Sequence, residues 1–297
     1  MAWRAQLLPF FSPPLAQAIQ GLSRAQADAL RELRVRVGQP LEWVGLTSPP
    51  ACGWAADQQA VQRLAQAFLH HSAYARQEEV RRGFLTAPGG HRVGLCGRAV
   101  LTDGRMTGLR DVSSLCVRIA RAVPGAADWL LPLLFAEGAP QSALLFSAPG
   151  LGKTTLLRDA VRQLSDVRGL RVGLVDERGE VAGSVDGVVQ LPVGSRTDVL
   201  DGCPKAQGMP LLLRAMAPQW LAVDEVGGQG DADALADAAR CGVSVLATAH
   251  GDTLAQLRRR PALRALWRQG MFARYVRLGP DAAPAGVWDA QGQGLEV

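Results

Sequence analysis

The chain has 297 residues, 48% hydrophobic and 20% charged, with a formal net charge of +5. That balance is a globular protein's, with core enough for two domains or one large one. No apolar run reaches the ~20 residues a membrane-spanning helix needs, and the best run, Trp129 to Phe135, contains Pro132.

The N-terminal apolar stretch Leu7 to Phe11 is cut short by Pro13-Pro14 and is not a secretory signal. The five cysteines (52, 96, 116, 203 and 241) form no C-x-x-C and read as reduced thiols of a cytosolic protein. Charge is unevenly spread. Residues 1–124 carry 15 arginines against 8 acids, while residues 125–297 carry 17 basic and 19 acidic residues. A basic N-terminal half suits an anionic partner (a membrane face, a nucleic acid or a neighbour's nucleotide) or is a solvated basic surface.

In chain order, residues 3–37 are expected to be mostly helical. Ser23 would cap a helix through Ala25, Ala29, Leu30 and Leu33, with a strand starting at Val35. A strand at Trp43–Leu46 follows, then a helix capped by Asp57 with Val61, Leu64, Ala65, Phe68 and Leu69 on one face. The adjacent His70 and His71 face different ways on a helix and read as non-ligands. Gly83 to Leu101 predicts two strands joined at Pro88-Gly89-Gly90, and Ser114–Ala120 a further strand carrying Arg118 and Arg121. Val123-Pro-Gly125 marks the expected boundary between an N-terminal α+β domain, residues 1–124, and an α/β domain, residues 125–297.

The second domain should open with a helix from Ala127 to Glu137 and then a buried strand, Ala143–Phe146. After it come Ser147, Ala148, Pro149, Gly150, Leu151, Gly152, Lys153, Thr154 and Thr155, a turn opening a helix, which is the setting of a phosphate-binding P-loop. Its glycines let backbone N–H groups converge on phosphate oxygens, and the helix N-terminus adds positive potential. Lys153 would reach the β/γ-phosphates and Thr154 would ligate Mg²⁺. Ser147 stands where a glycine is usual and fits if its backbone is ordinary. Only two of the 32 basic residues are lysines, Lys153 and Lys205, which argues against a stray lysine in a Gly-rich turn.

A strand Arg171–Asp176 then ends in Asp176-Glu177, a pair placed to face the phosphates, unburied, or else to sit in a loop of solvated charges. Residues 181–203 read as loop, with a helix from Lys205 to Met216 after them. Trp220–Asp224 is an apolar strand ending in Asp224-Glu225, the Walker B pattern: Asp224 for Mg²⁺ and Glu225 to orient and deprotonate water. A helix at Asp231–Arg240 leads to the strand Val243–His250, whose Thr248 and His250 read either as γ-phosphate sensors or as structural groups. Basic helices (Leu254–Arg259 and Leu263–Trp267) and a strand pair (Phe272–Leu278 and Gly286–Asp289) complete the pattern.

Taken together, Arg34-Val-Arg-Val-Gly-Gln-Pro40, Gly89-Gly-His-Arg-Val-Gly94, Gly97-Arg98, Arg118-Ile-Ala-Arg121, Val175-Asp-Glu-Arg178, Arg196-Thr-Asp-Val-Leu-Asp-Gly202, Ala222-Val-Asp-Glu225 and Ala247-Thr-Ala-His250 resemble the stage III sporulation protein AA family. That family belongs to the RecA-like secretion and traffic ATPases. The resemblance implies an acidic box at Asp176-Glu177 and a His box at His250; of the pair, Glu177 is preferred as catalytic because one residue past the strand it is freer to face the phosphates. Where the secretion enzymes follow Walker B with an arginine, this chain has Gly227-Gly228. The resemblance further implies an ATPase using ATP and Mg²⁺ to power a channel between mother cell and forespore. It would work as a homo-oligomeric ring, hexameric by resemblance, on the cytoplasmic face of a membrane beside membrane-embedded channel proteins. No base-reading motif separates ATP from GTP. Arg98, Arg118 and Arg121 are candidates for an arginine acting in trans. A nucleic-acid-dependent RecA-like motor is the rival reading. It is disfavoured because the basic half lacks interleaved aromatics, so no nucleic acid is expected as partner.

Overall fold

The computed structural model describes residues 2–50, 52–69 and 83–296, so His70 and His71 lie outside the described residues. Two compact units emerge. One runs to Arg121 and takes in Gly183–Gln190; the other is Ala122–Ala182 with Leu191–Val297.

The first unit is an antiparallel sheet of β1 (Glu32–Arg36), β2 (Glu42–Val44), β3 (Phe84–Ala87), β4 (His91–Thr102) and β5 (Arg105–Arg118), in the order β2-β1-β5-β4-β3. Alternation puts Leu33 and Val35 of β1, Leu85 of β3, Val93 and Leu95 of β4, and Leu115 and Val117 of β5 in one apolar core. Helices Pro13–Gln20 and Gln58–Leu69 supply Leu15, Ile19, Val61, Leu64 and Phe68 to the same core, where Phe10 stacks on Phe68 at 4.6 Å. Ser23 and Gln26 form a reciprocal capping box, as the spacing implies, but the helix stops at Ala29. Leu33 therefore lies in a strand, not in that helix. The period-two burial of Leu33 and Val35 against the sheet outweighs the helical pattern. β5 begins nine residues before the expected strand and ends at Arg118, leaving Arg121 beyond it.

The second unit is an eight-stranded sheet ordered β10-β9-β11-β12-β8-β13-β14-β15. Its strands are β8 (Ala143–Ser147), β9 (Val172–Asp176), β10 (Thr197–Asp201), β11 (Trp220–Val223), β12 (Ser244–His250), β13 (Arg274–Leu278), β14 (Pro284–Asp289) and β15 (Gly294–Leu295). The first six in spatial order are parallel, and β14 and β15 add antiparallel at one edge. β8, β9 and β11 are buried throughout, as parallel strands covered on both faces must be. Leu145, Leu174, Ala222 and Leu246 face one apolar cluster; Leu144, Val175, Val223 and Ala247 face the other. The helix expected at Ala127–Glu137 is absent. A 3₁₀ turn spans Leu131–Leu134, and Phe135–Ala136 (β6) pairs with Ala139–Pro140 (β7). Pro132 has no N–H for a helix interior, and Glu137 and Gly138 both take positive φ, so this stretch turns back.

Candidate active site

Sheet register gathers the site. Val223 lies opposite both Val175 and Ala247, and Ser147 lies opposite His250. The C-terminal ends of β8, β9, β11 and β12 therefore bring Ser147, Asp176, Asp224, Thr248 and His250 to one edge, where parallel sheets hold their ligands.

The turn after β8 uses Gly150 at φ 80° and Gly152 at φ 88°, conformations that L side chains rarely adopt. A Cβ on Gly152 would also meet the Ala282 Cβ at 3.0 Å. Ser147 needs no such freedom: it ends β8 without positive φ and its Oγ donates to the Ala148 carbonyl at 2.8 Å. The helix Lys153–Asp166 starts directly after Gly152, so its first N–H groups open toward the turn. Lys153 is buried and its ammonium donates to Ser147 O at 3.1 Å, Ser147 Oγ at 3.2 Å and Ala148 O at 3.0 Å. Burial pushes its pKa down, while Asp224, Glu225 and Asp252 pull it back up.

Asp224 follows β11 and is fixed by two hydroxyls. Thr154 Oγ1 donates to one carboxylate oxygen at 2.7 Å and the fully buried Thr248 to the other. Thr248 Oγ1 also accepts the Glu225 N–H at 2.8 Å. A hydroxyl and a carboxylate in contact beside the turn are hard oxygen donors suited to Mg²⁺ shared with a substrate's phosphates. Among the described residues no group of three or more His, Cys, Asp or Glu side chains would hold a metal unaided.

Glu225 sits at φ 55°, a left-handed conformation costly for a residue with a side chain. Both its oxygens are engaged: Oε1 with His250 Nε2 at 2.8 Å and Oε2 with Arg178 Nη1 at 2.7 Å. The Arg260 guanidinium donates to the His250 carbonyl at 2.9 Å. Arg178 and Arg260 bring guanidinium groups to the Walker B turn, Arg178 at Glu225 and Arg260 beside Gly227, where the sequence offered only Gly227-Gly228.

The Asp176-Glu177 pair is built differently. Asp176 is 1% exposed and accepts the N–H groups of Glu180, Val181 and Ala182 at 2.9, 3.0 and 2.7 Å. The expectation that it need not be buried is thus overturned: it is the anchor that folds the turn behind β9. Burial raises its pKa despite these bonds. Arg158, also buried, holds the same turn by its carbonyls, donating to Val181 O at 2.5 Å and Glu180 O at 2.6 Å. Glu177 Oε2 meets Lys205 Nζ at 2.6 Å. Burial works against this carboxylate, but the Lys205 hydrogen bond and charge outweigh it and hold the pKa below the usual range. Glu177 shares a hollow with Asp176, Arg178, Glu180, Lys205, Asp224 and Glu225. Sequence reasoning missed Arg178, Arg158 and Lys205. The signal for the last was available, since Lys205 is the second of two lysines and is buried like the first.

The trans-acting candidates lie in the first unit. Arg121 donates to Ala27 O at 2.8 Å and Leu30 O at 2.6 Å, tied to its own unit's backbone. Arg118 pairs with Glu32 at 3.0 Å from an exposed position, and Arg98 is exposed on β4.

A parallel sheet with this turn and these acids at its carboxyl edge has the RecA-like P-loop fold of the secretion ATPases. The Legionella pneumophila ATPase DotB superposes with a TM-score of 0.58 at 14% identity, over 90% of this chain and 76% of that one. The pilus retraction motor PilT with bound ADP superposes with a TM-score of 0.55 at 12% identity, over 86% and 76%. At that identity the likeness is one of fold. The chain itself belongs to the family described as sporulation stage III, protein AA, whose profile matches residues 6–295. Stage III sporulation protein AA of Bacillus subtilis (strain 168) is 37% identical over 95% of this chain and 92% of that protein. A shorter match, 33% identical, links 52% of the chain to 22% of the SEEDLING PLASTID DEVELOPMENT 1 protein of Arabidopsis thaliana.

Proposed function

We propose that this chain is a Mg²⁺-dependent ATPase, the motor of a sporulation channel between mother cell and forespore. It would act as a homo-hexameric ring, peripheral to the cytoplasmic face of a membrane and partnered by membrane-embedded channel proteins. The observation that carries the reading is the convergence of Lys153, Thr154, Asp224 and Glu225 at one sheet edge.

In this reading the 147–155 turn cradles the phosphates with its N–H groups, and Lys153 exchanges its carbonyl partners for phosphate oxygens. Thr154 and Asp224 would hold Mg²⁺, whose charge offsets that of the phosphates. Water attacks the γ-phosphorus, a new P–O bond forms as the bond to ADP breaks, and Glu225 takes the water's proton. Each Glu225 oxygen keeps a lone pair beyond its bond to Arg178 or His250, on which the water's proton can be taken. An arginine from a neighbouring subunit would complete the charge stabilisation. With Arg121 occupied by its own backbone, Arg98 and Arg118 are the better candidates.

The test is nucleotide binding and turnover of the full chain. Lys153→Ala should lose ATP binding, and turnover should rise with protein concentration and stay unchanged by single-stranded DNA. Normal binding by Lys153→Ala would sink the nucleotide reading, and a flat concentration profile would sink the ring.

A further inference from the structure

β4 and β5 do not end with the sheet. Beyond Cys96 and Ser114 they continue as a two-stranded arm, residues 97–111, closed by a turn at Asp103 (φ 51°) and Gly104 (φ 73°). The bend where the arm leaves the sheet is specified. A Cβ on Gly97 would come within 2.8 Å of the Arg110 carbonyl and the Val112 Cα, and Asp111 opposite takes φ 50°. The arm is therefore a built projection, not a frayed strand end.

Its register gives it one apolar face and one mixed face, where Val100, opposite Gly108, stands among the arginines. Ala99 lies opposite Leu109 and Leu101 opposite Met106, so these four share one face. Arg98 lies directly opposite Arg110 on the other face, and Arg105 stands at the turn. Leu109, at the foot, packs on the first unit's core, whereas Leu101, near the tip, is 63% exposed. Like charges facing each other across two strands weaken a free ribbon and attract an anionic partner. The arm's two acids have a backbone reason, since both stand at positive φ, where Asp is tolerated. The three arginines have none.

We propose that this arm docks on an anionic lipid surface, seating Leu101 and Met106 among the acyl chains while Arg98, Arg105 and Arg110 meet the headgroups. A basic face joined to an apolar face is what an interfacial element requires. The arm is also shorter than the roughly 20–30 residues a side that a stable protein interface uses. The excess of arginine over acids in residues 1–124 has the matching sign. The proposal rests on the peripheral-membrane reading above and assigns its contact; it leaves Arg118, outside the arm, as the arginine to act in trans.

The experiment is flotation of the full chain with vesicles of phosphatidylcholine alone and of equimolar phosphatidylcholine and phosphatidylglycerol. The wild type should float only with the second. Arg110→Glu should lower that binding about 30-fold, from two units of surface charge. It converts the opposed Arg98–Arg110 pair into an attractive one, so its melting temperature should match the wild type's, which separates lost binding from lost folding. Leu101→Asp, at an exposed site, should weaken binding with an unchanged melting temperature. If Arg110→Glu floats like the wild type, the arm is not the contact, though membrane attachment survives. Equal flotation with both vesicles overturns the charge argument, and none with either overturns the lipid surface itself.

Discussion

Two strand ends in the second unit carry the same dipeptide, Asp176-Glu177 after β9 and Asp224-Glu225 after β11, on neighbouring parallel strands. Their surroundings divide the labour in opposite ways. Asp176 is consumed by three backbone N–H groups and Glu177 by Lys205. Asp224 is held by two hydroxyls, and Glu225 is pinned in a strained backbone conformation between His250 and Arg178. An acid facing fixed N–H donors is scaffolding, because those donors have no other partner. One facing mobile or exchangeable groups is available for chemistry. The contrast teaches that an Asp-Glu at a strand end is not a site until its partners are known.

Replacement of the two glutamates gives the sharpest break. Glu225→Gln should bind ATP normally and slow turnover by at least ~100-fold, the scale of a positioned base. Glu177→Gln should lose under ~10-fold. Equal losses, measured as single-turnover rates, would erase the distinction between the pairs.

The two aspartates should differ in melting more than in rate. Asp176→Asn offers one oxygen in place of two and sets an NH₂ against N–H donors, so about 1–3 kcal/mol of stability should go. For a unit of this size that lowers the melting temperature by several degrees. Asp224→Asn should spare the melting temperature and impair turnover. A stable Asp176→Asn variant would show that its three N–H bonds do not hold the turn.

The smallest effect concerns pH. The depressed pKa of Glu177 means that its pairing with Lys205 stabilises the fold above the unfolded carboxylate's value, roughly 4.3, and that this is lost as pH falls through the lower folded value. With Lys205 buried but Glu177 about a third exposed to screening solvent, the pair is worth about 0.5–1 kcal/mol. Urea titrations of Glu177→Gln should therefore approach the wild type below pH ~4. A gap that persists in acid would place the contribution elsewhere than in the ion pair.

Much of this was legible in sequence where one signal dominated. The Lys205–Met216 helix runs as its apolar spacing predicts, and the P-loop helix starts at Lys153. Local pattern failed where a distant partner decided the outcome. Leu33 follows the sheet, and Ala127–Glu137 yields to Pro132 and a left-handed turn at Glu137-Gly138. In the site, the residue types were readable and their pairings were not. Nothing near Asp176 in sequence announces that its own following residues, Glu180 to Ala182, would saturate it. Arg178 met Glu225 only because β9 and β11 are neighbours.

The wall against Gly152 has a consequence for how the protein is made. Ala282, itself at φ 58°, donates its N–H to the Leu151 carbonyl at 3.2 Å and stands where a larger neighbour would collide with the turn. β13, just before it, pairs directly with β8, the strand that launches the turn. A nascent chain stalled short of Ala282 carries every residue of the 147–155 turn but lacks this support, so the nucleotide cradle matures late in synthesis. Tethered chains of increasing length should gain affinity for nucleotide in one step, once residues 274–289 have cleared the ribosome, and not when the turn itself emerges.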